Sequence, residues 1–212
     1  MSGEITLSYE GKGEATIRVT AAPSMMHPEQ CTFTVSEPLY PDNSAHFADR
    51  SAGKGSPLVE RIFDLGNIGE MTVSHGTVRV TLSGPGDWED VIPAVGSAIR
   101  DAVVGDAPPI SPAVTASQLP AGAIRERVQK ILDTVINPAV AAHGGVVELI
   151  DVSNNTVFLE FGGGCQGCGM INVTLKYGVE RTIREEVPEV GEILDSTDHA
   201  TGRNPYYAPS SK

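Results

Sequence analysis

Hydrophobic and polar residues alternate in several short stretches of the first half of the chain, a period typical of strands with one buried face. We predict one hairpin from "ITLSY" and "ATIRV" around the turn "EGKG", a third strand at "CTFTVSE" and a second hairpin at "MTVSHGTVRVTLS". A short helix is predicted at "SPLVERIFDLG", with Ser56 as N-cap, Pro57 at the first helical position and Gly66 at its end. A longer amphipathic helix is predicted from Asp87, through "DWEDVIPAVGSAIRDAVVG", and its apolar stripe should pack on the sheet.

The second half shows the helical period first, in "AIRERVQKILDTVINPAVAAHGG", where Pro138 is expected to kink the helix. Two strands, "VVELIDV" and "TVFLEF", then flank the turn "SNN", and a second amphipathic helix follows in "MINVTLKYGVERTIREEV". The pattern therefore predicts an α+β fold, also describable as a small α/β fold, made of two small domains. Each domain should pack a small sheet against two helices.

The boundary between the domains is expected in the proline-rich stretch "GDAPPISPAVTASQLP". Its four prolines and few charges interrupt any helical or strand period, as in a semi-extended linker. This gives a first domain at residues 1–104, a linker at 105–120 and a second domain at 121–198. The remaining residues, 199–212, have no apolar period and are expected to form a mobile tail.

Composition excludes several classes of partner. The 212 residues carry a net charge of −12, from 27 acidic and 15 basic residues, so the positive surface of a nucleic-acid binder is not expected. No apolar run approaches the roughly 20 residues that cross a bilayer, so no membrane partner is expected. The acidic first residues do not resemble a signal peptide or an organelle presequence, which predicts a cytoplasmic protein. Three cysteines do not make a disulfide framework.

Two of these cysteines, Cys165 and Cys168, lie close together in "FGGGCQGCGM", between a predicted strand and a predicted helix. A helix N-terminus carries unpaired N–H groups and roughly half a positive charge, and both favour thiolates. The glycines around the pair leave space for a bulky group to dock on the sulfur atoms. We therefore expect the pair to be chemically functional.

Three kinds of chemistry suit such a pair. A thiol–disulfide oxidoreductase also places a CxxC pair between a strand and a helix, although this pair is framed by glycine and not by aromatic residues. A structural zinc site needs two further ligands, for which His143 and His199 are candidates. An iron–sulfur cluster needs four thiolates, which two copies of the chain would supply as a homodimer. A cluster held in this way could be passed to the thiols of another protein.

At these residues the chain resembles the Nfu family of iron–sulfur scaffold and carrier proteins, from about Ala123 to Asp198. The similarity lies in "INPAVAAHGGVVELI", "FGGGCQGCGMINVTLKYGVE", "PEV" and "DSTDH". The stretch "SPLVERIFDLGNIGEMTVSHGTVRVTLSGPGDWEDVIPAVGSAI" is similar to the N-terminal domain of many Nfu proteins, whereas "APSMMHPEQCTF" replaces the family's opening Pro-Asn-rich motif.

The resemblance implies that Cys165 and Cys168 ligate a [4Fe-4S] cluster that bridges a homodimer. It also implies a cluster carrier, and not an enzyme, that receives its cluster from an upstream donor and delivers it to apo iron–sulfur client proteins. The first domain would recognise or modulate clients. The alternative function is that of a CxxC thiol–disulfide oxidoreductase.

Three other residues have simpler interpretations. Cys31 alternates with threonines on the same strand face as Phe33 and Val35, so it is expected in the core and not as a ligand. Trp88 is expected to be a packing residue. Met170 is expected to cover one side of the cluster, or to be a core residue.

Overall fold

The structure is a computed structural model that describes residues 4–12, 15–25, 27–84, 87–142, 144–163 and 169–196. The chain divides into two compact units, Met1–Gln118 and Leu119–Lys212. Each unit combines a sheet with helices, which confirms the predicted α+β class.

The elements of the first unit are β1 (Ile5–Glu10), β2 (Thr16–Pro23), β3 (Gln30–Val35), β4 (Tyr40–Phe47), a 3₁₀ turn (Arg50–Gly53), α1 (Pro57–Phe63), β5 (Ile68–His75), β6 (Thr77–Leu82), α2 (Trp88–Val104) and α3 (Pro112–Ser117). In the described part of this unit, the six strands form one antiparallel sheet in the order β1-β2-β3-β6-β5-β4. The predicted hairpins β1–β2 and β5–β6 and the predicted strand β3 are confirmed.

Alternation along the strands separates a core face from a polar face. On β2, β3 and β6 every second residue is apolar and buried, and α1 and α2 complete the core. Helix α2 approaches β1 closely, since a Cβ on Gly96 would lie 2.2 Å from the Tyr9 hydroxyl oxygen. The predicted α2 stripe is confirmed, with Ile92, Val95 and Ile99 at most 2% exposed.

Strand β4 is absent from the sequence prediction, and its irregularity explains why. Pairing with β5 shifts register between Tyr40 and Ser44, and Asp42 has a φ of 58°. Such a bulge breaks the alternation that identifies a strand. Proline at position 41 and the buried Ser44 further weaken the pattern.

The proline-rich stretch is attached to the first unit. The extended backbone predicted for it is wrong at Pro112–Ser117, which is the helix α3. Ile110 is 4% exposed in the first core, and the Tyr40 hydroxyl lies 2.8 Å from the Thr115 hydroxyl. The Gln118 amide donates to the Tyr40 hydroxyl and to the Ser44 carbonyl, both at 3.0 Å. These contacts fix the stretch up to Gln118 on the first unit.

The elements of the second unit are α4 (Ala121–Ile131), a π-helical stretch (Leu132–Ile136), α5 (Asn137–Ala141), β7 (Gly145–Ser153), β8 (Thr156–Gly163), α6 (Gly169–Glu186) and β9 (Ile193–Asp195). Within the described residues of this unit, the three strands form a sheet in the order β7-β8-β9, with β7–β8 antiparallel and β8–β9 parallel. The predicted hairpin β7–β8 and the two predicted helical regions are confirmed, whereas β9 is absent from the sequence prediction, because three residues are too short to show a period.

The π-helical stretch lies where a kink was expected from Pro138. Proline cannot donate a backbone hydrogen bond, and π-helical turns inside a helix accommodate such interruptions. The Asn137 N–H donates to the Leu132 carbonyl, five residues earlier, and α5 then begins with Pro138 in its first turn. The helical path thus continues to Ala141.

Candidate metal centre

The connection between β8 and α6 carries the predicted site. β8 ends at Gly163 and α6 begins at Gly169. Cys165 and Cys168 fall between these two residues and lie outside the described residues, so their role as ligands stays a prediction. The structure describes the two elements that hold the ends of this connection.

On the strand side, β8 pairs with the first residues of β7 up to its last residue, with Gly145 opposite Gly163 and Val146 opposite Gly162. A Cβ added to Gly162 would lie 2.9 Å from Val146 Cγ1, closer than real Cβ contacts. A larger residue at this position would make the exposed Val146 side chain on β7 shift, which the sequence did not reveal. The end of β8 is held by its neighbour up to the point where the cysteine segment begins.

Asn137 fixes the outer edge of β7 at the same end of the sheet. Its amide nitrogen donates to the Val147 carbonyl at 3.0 Å, and its amide oxygen accepts from the Val147 N–H at 2.8 Å. β7 is at the edge of the described sheet, and the Asn137 side chain makes the two hydrogen bonds that a neighbouring strand would otherwise make. Since Val147 also pairs with Phe161 on β8, Asn137 connects the helical path to the strand that leads to the cysteines.

On the helix side, α6 packs on the second core through Val179 and Ile183, which are at most 3% exposed, and Val187, just after the helix, lies in the same core. Its first residue, Gly169, directly follows Cys168 in the chain. The first N–H groups of a helix lack partners within the helix, and the helix dipole adds roughly half a positive charge there. This end of α6 favours anionic sulfur over neutral thiol.

A charged pair lies between α6 and the sheet. Lys176 forms an ion pair with the Asp195 carboxylate on β9, and its Nζ lies 5.3 Å from the centroid of the Phe161 ring. The Asp195 side chain is 8% exposed and that of Lys176 is 28% exposed. Neither residue is identifiable from the sequence, because the two are far apart in the chain and belong to no motif.

The other predicted residues are placed as follows. Cys31 is fully buried on β3 in the first core, as predicted, and burial raises the pKa of its thiol from 9.0 to about 12. Trp88 packs edge-on against Phe33, with ring centroids 6.4 Å apart, and its indole N–H donates to the Pro28 carbonyl at 2.8 Å. His143 and His199 lie outside the described residues. Met170 lies in the first turn of α6, and its side chain is outside the description.

Two further observations concern the described ranges alone. They contain no group of three or more His, Cys, Asp or Glu side chains arranged to hold a metal ion. None of their helices is long and apolar enough to span a membrane.

Comparison with known proteins gives a match in each unit. The NifU-like domain matches residues 128–194, which include Cys165 and Cys168. The domain described as scaffold protein Nfu/NifU N terminal matches residues 19–105. The chain belongs to the Nfu family.

Similar curated proteins carry the name Fe/S biogenesis protein NfuA. The protein from Pseudomonas aeruginosa is 53% identical over 85 residues, which is 40% of this chain and 44% of that protein. The protein from Azotobacter vinelandii is 51% identical over 83 residues, 39% of this chain and 43% of its own length. The match thus spans less than half the length of these relatives. A crystal structure from Staphylococcus aureus covers 37% of this chain and 93% of its own, but a TM-score of 0.32 and 15% identity are too weak to bear on fold or site.

Proposed function

We propose that the protein is an iron–sulfur cluster carrier that holds a [4Fe-4S] cluster between two subunits and transfers it to apo iron–sulfur proteins. Cys165 and Cys168 of each subunit supply the four thiolates. The observation that carries the proposal is the CxxC pair, which falls within the NifU-like match and directly before α6. The names of the curated relatives, Fe/S biogenesis protein NfuA, support the same function.

The residues around the connection fit such a cargo. Thiolates are the usual ligands of iron–sulfur clusters, and the N-terminus of α6 favours their anionic form. Because each chain has only one close pair of cysteines, the fourfold ligation of a cluster requires a second copy. A cluster shared in this way leaves by thiolate exchange. Each incoming client thiolate replaces one carrier thiolate on iron, and no electron transfer is needed.

A thiol–disulfide oxidoreductase remains the second candidate, on the strength of the CxxC spacing alone. The surrounding fold gives it little support. The described sheet of this unit has three strands, and β7 and β8 form an antiparallel hairpin, whereas thioredoxin-type sites lie in larger sheets with alternating strands and helices.

Anaerobic reconstitution of the full chain with ferrous iron and sulfide distinguishes the two functions. We expect sulfur-to-iron charge-transfer absorption, followed by activation of an apo [4Fe-4S] enzyme mixed with the loaded protein. A colourless protein that catalyses insulin disulfide reduction by a small dithiol would contradict the proposal and support the oxidoreductase. A chain that binds zinc in place of the cluster, with His143 and His199 required, would also contradict it.

A further inference from the structure

Lys176 lies at a position where the pattern of α6 calls for an apolar residue. It precedes Val179 by three residues and Ile183 by seven, so the three residues share one face of the helix. Val179 is 3% exposed and Ile183 is fully buried. Placing a charge at such a helix–sheet contact carries a desolvation cost that an apolar side chain of similar size avoids. The cost indicates a role beyond packing.

Asp195 completes this charged pair from the other side. In the parallel register of β9, Asp195 lies opposite Leu159, whose side chain is fully buried. The ammonium group lies over Phe161, two residues further along β8 toward Gly163. The ammonium group therefore contacts the Asp195 carboxylate and also lies over a ring that is close to the end of β8.

Distances along both elements place this charge near the site. Phe161 is roughly 7 Å from the end of β8 at a strand rise of about 3.3 Å per residue. Lys176 is roughly 10 Å along α6 from its first residue at about 1.5 Å per residue, and helical side chains lean toward the N-terminus. Both lengths are comparable with the screening distance of about 8 Å at physiological salt. Because Lys176 and Asp195 neutralise each other, removing either member would leave one uncompensated charge whose effect on the cargo is only partly screened.

We propose that Lys176 is a positioning residue for cluster carriage, whose ammonium group, aimed by Asp195 and the Phe161 ring, stabilises the anionic cluster–thiolate group on the carrier. The inference rests on the proposed function, because it needs a cluster on Cys165 and Cys168. Cluster retention and release are thereby set by the sign of the field at this end of the sheet as well as by the four thiolates.

The test compares two variants that break the same ion pair with opposite electrostatic consequences. Lys176→Met keeps an unbranched side chain beside Phe161, removes the positive charge and leaves the Asp195 carboxylate. Asp195→Asn keeps the ammonium group and removes the negative charge. If the ion pair between Lys176 and Asp195 only stabilises the fold, both variants must release the cluster faster than wild type. If the electric field of the pair acts on the cluster, one variant must release the cluster faster than wild type and the other more slowly.

We expect the reconstituted full chain with Lys176→Met to lose its cluster to excess chelator about three- to tenfold faster than wild type, as expected for losing one partly screened charge interaction. Its cluster reduction potential should be more negative. Asp195→Asn should release its cluster more slowly than wild type and have a more positive potential, and Lys176→Arg should resemble wild type. Lys130→Met is the matched control, because it removes the same charge from an exposed position on α4.

Contradicting results are distinct from a failure of the proposed function. Equal acceleration by Lys176→Met and Asp195→Asn, or a Lys176→Met variant indistinguishable from Lys130→Met, overturns this inference alone. A wild-type chain that takes up neither iron nor sulfide overturns the proposed function as well. If Lys176→Met does not fold, Asp195→Asn decides the matter. Slower release with a raised potential supports the field effect, and faster release with an unchanged potential overturns it.

Discussion

The two units of this chain place cysteine in contrasting settings. In the first unit Cys31 is a regular member of β3, fully buried, with Val80 of β6 and Pro23 of β2 as its cross-strand neighbours. In the second unit Cys165 and Cys168 lie in the segment that connects β8 to α6, among glycines. The thiol is the same, but Cys31 lies within a strand, whereas the pair lies between a strand and a helix in a glycine-rich sequence.

This difference teaches that the local sequence pattern, and not the residue type, distinguishes a core cysteine from a candidate ligand. Burial raises the Cys31 pKa to about 12, which keeps the thiol protonated and inert at neutral pH. A helix N-terminus has the opposite effect on a neighbouring thiol. The contrast is open to test by substitutions in each setting.

The largest effect is expected from the functional pair. Either Cys165→Ser or Cys168→Ser should abolish stable cluster binding, because a serine hydroxyl is a poor ligand for iron at neutral pH. Iron and sulfide analysis after anaerobic reconstitution measures the loss, and circular dichroism should show an unchanged fold. Cys31→Ala is the matched control and should keep the full load. A full load in either serine variant would show that the cluster has other ligands.

Each unit should fold when it is expressed as a fragment without the other. A fragment that begins at Leu119 should fold and hold a cluster, since Leu119 packs on the second core while Gln118 is bound to the first unit. A first-unit fragment should need its residues up to 118. Ending it at 104 removes Ile110 and the hydrogen bonds of Thr115 and should cost about 3 kcal/mol of unfolding free energy.

Thermal and urea unfolding of these fragments provide the measurement. Equal stability of the fragments that end at 104 and at 118 would contradict the attachment of the proline-rich stretch. An unfolded Leu119 fragment would contradict the independence of the second unit.

A smaller effect is expected from Asn137→Ala. It leaves the N–H and the carbonyl of the buried Val147 without the partners that Asn137 provides, which should cost about 2 to 3 kcal/mol of second-unit stability. Urea unfolding of the Leu119 fragment measures this cost. In the full chain Asn43→Ala is the control, because its amide makes an exposed contact with the Pro41 carbonyl. A loss below about 0.5 kcal/mol would show that water replaces the asparagine without penalty.

The smallest effect is expected at Cys31. Cys31→Ala should cost at most about 2 kcal/mol of first-unit stability, as for a modest reduction of a core side chain. With a native pKa of about 12 and an ordinary value of 9.0, the unfolded thiol loses its proton above pH 9 while the native thiol keeps it. This difference in proton binding lowers the unfolding free energy of the wild type by up to about 1.4 kcal/mol per pH unit between those two pKa values.

The Cys31→Ala variant has no thiol to titrate, so its unfolding free energy does not fall in this way. The difference in unfolding free energy between wild type and the variant should therefore shrink as the pH rises above 9. Urea unfolding of the fragment that ends at Gln118, at several pH values, measures this difference. A constant difference from pH 8 to 10.5 would show that the native thiol titrates normally.

Regular alternation made most of the fold predictable from sequence, and its interruptions explain the rest. β4 was missed because of the bulge at Tyr40/Ser44, and α3 because the prolines around it resemble those of a linker. β9 pairs with β8 over only three positions, so the sequence carried no period for it.

The candidate site shows the same limit. The CxxC spacing is local and readable, so Cys165 and Cys168 could be nominated directly, although they remain a prediction. Asn137, Lys176 and Asp195 act through contacts between separate elements, which no local pattern reports. Each of the three is a polar residue at a position where the surrounding pattern predicts an apolar one, and this departure is the signal in the sequence that could identify such residues.

The most direct test of the central claim is native mass spectrometry of the anaerobically reconstituted full chain, with and without chelator. We expect a species with the mass of two chains plus four iron and four sulfur atoms, which chelation converts to the single chain, because the thiolates of both subunits share one cluster. A cluster on a single chain, two iron atoms per dimer, or a dimer that persists without iron would contradict a [4Fe-4S] cluster as the bridge between subunits.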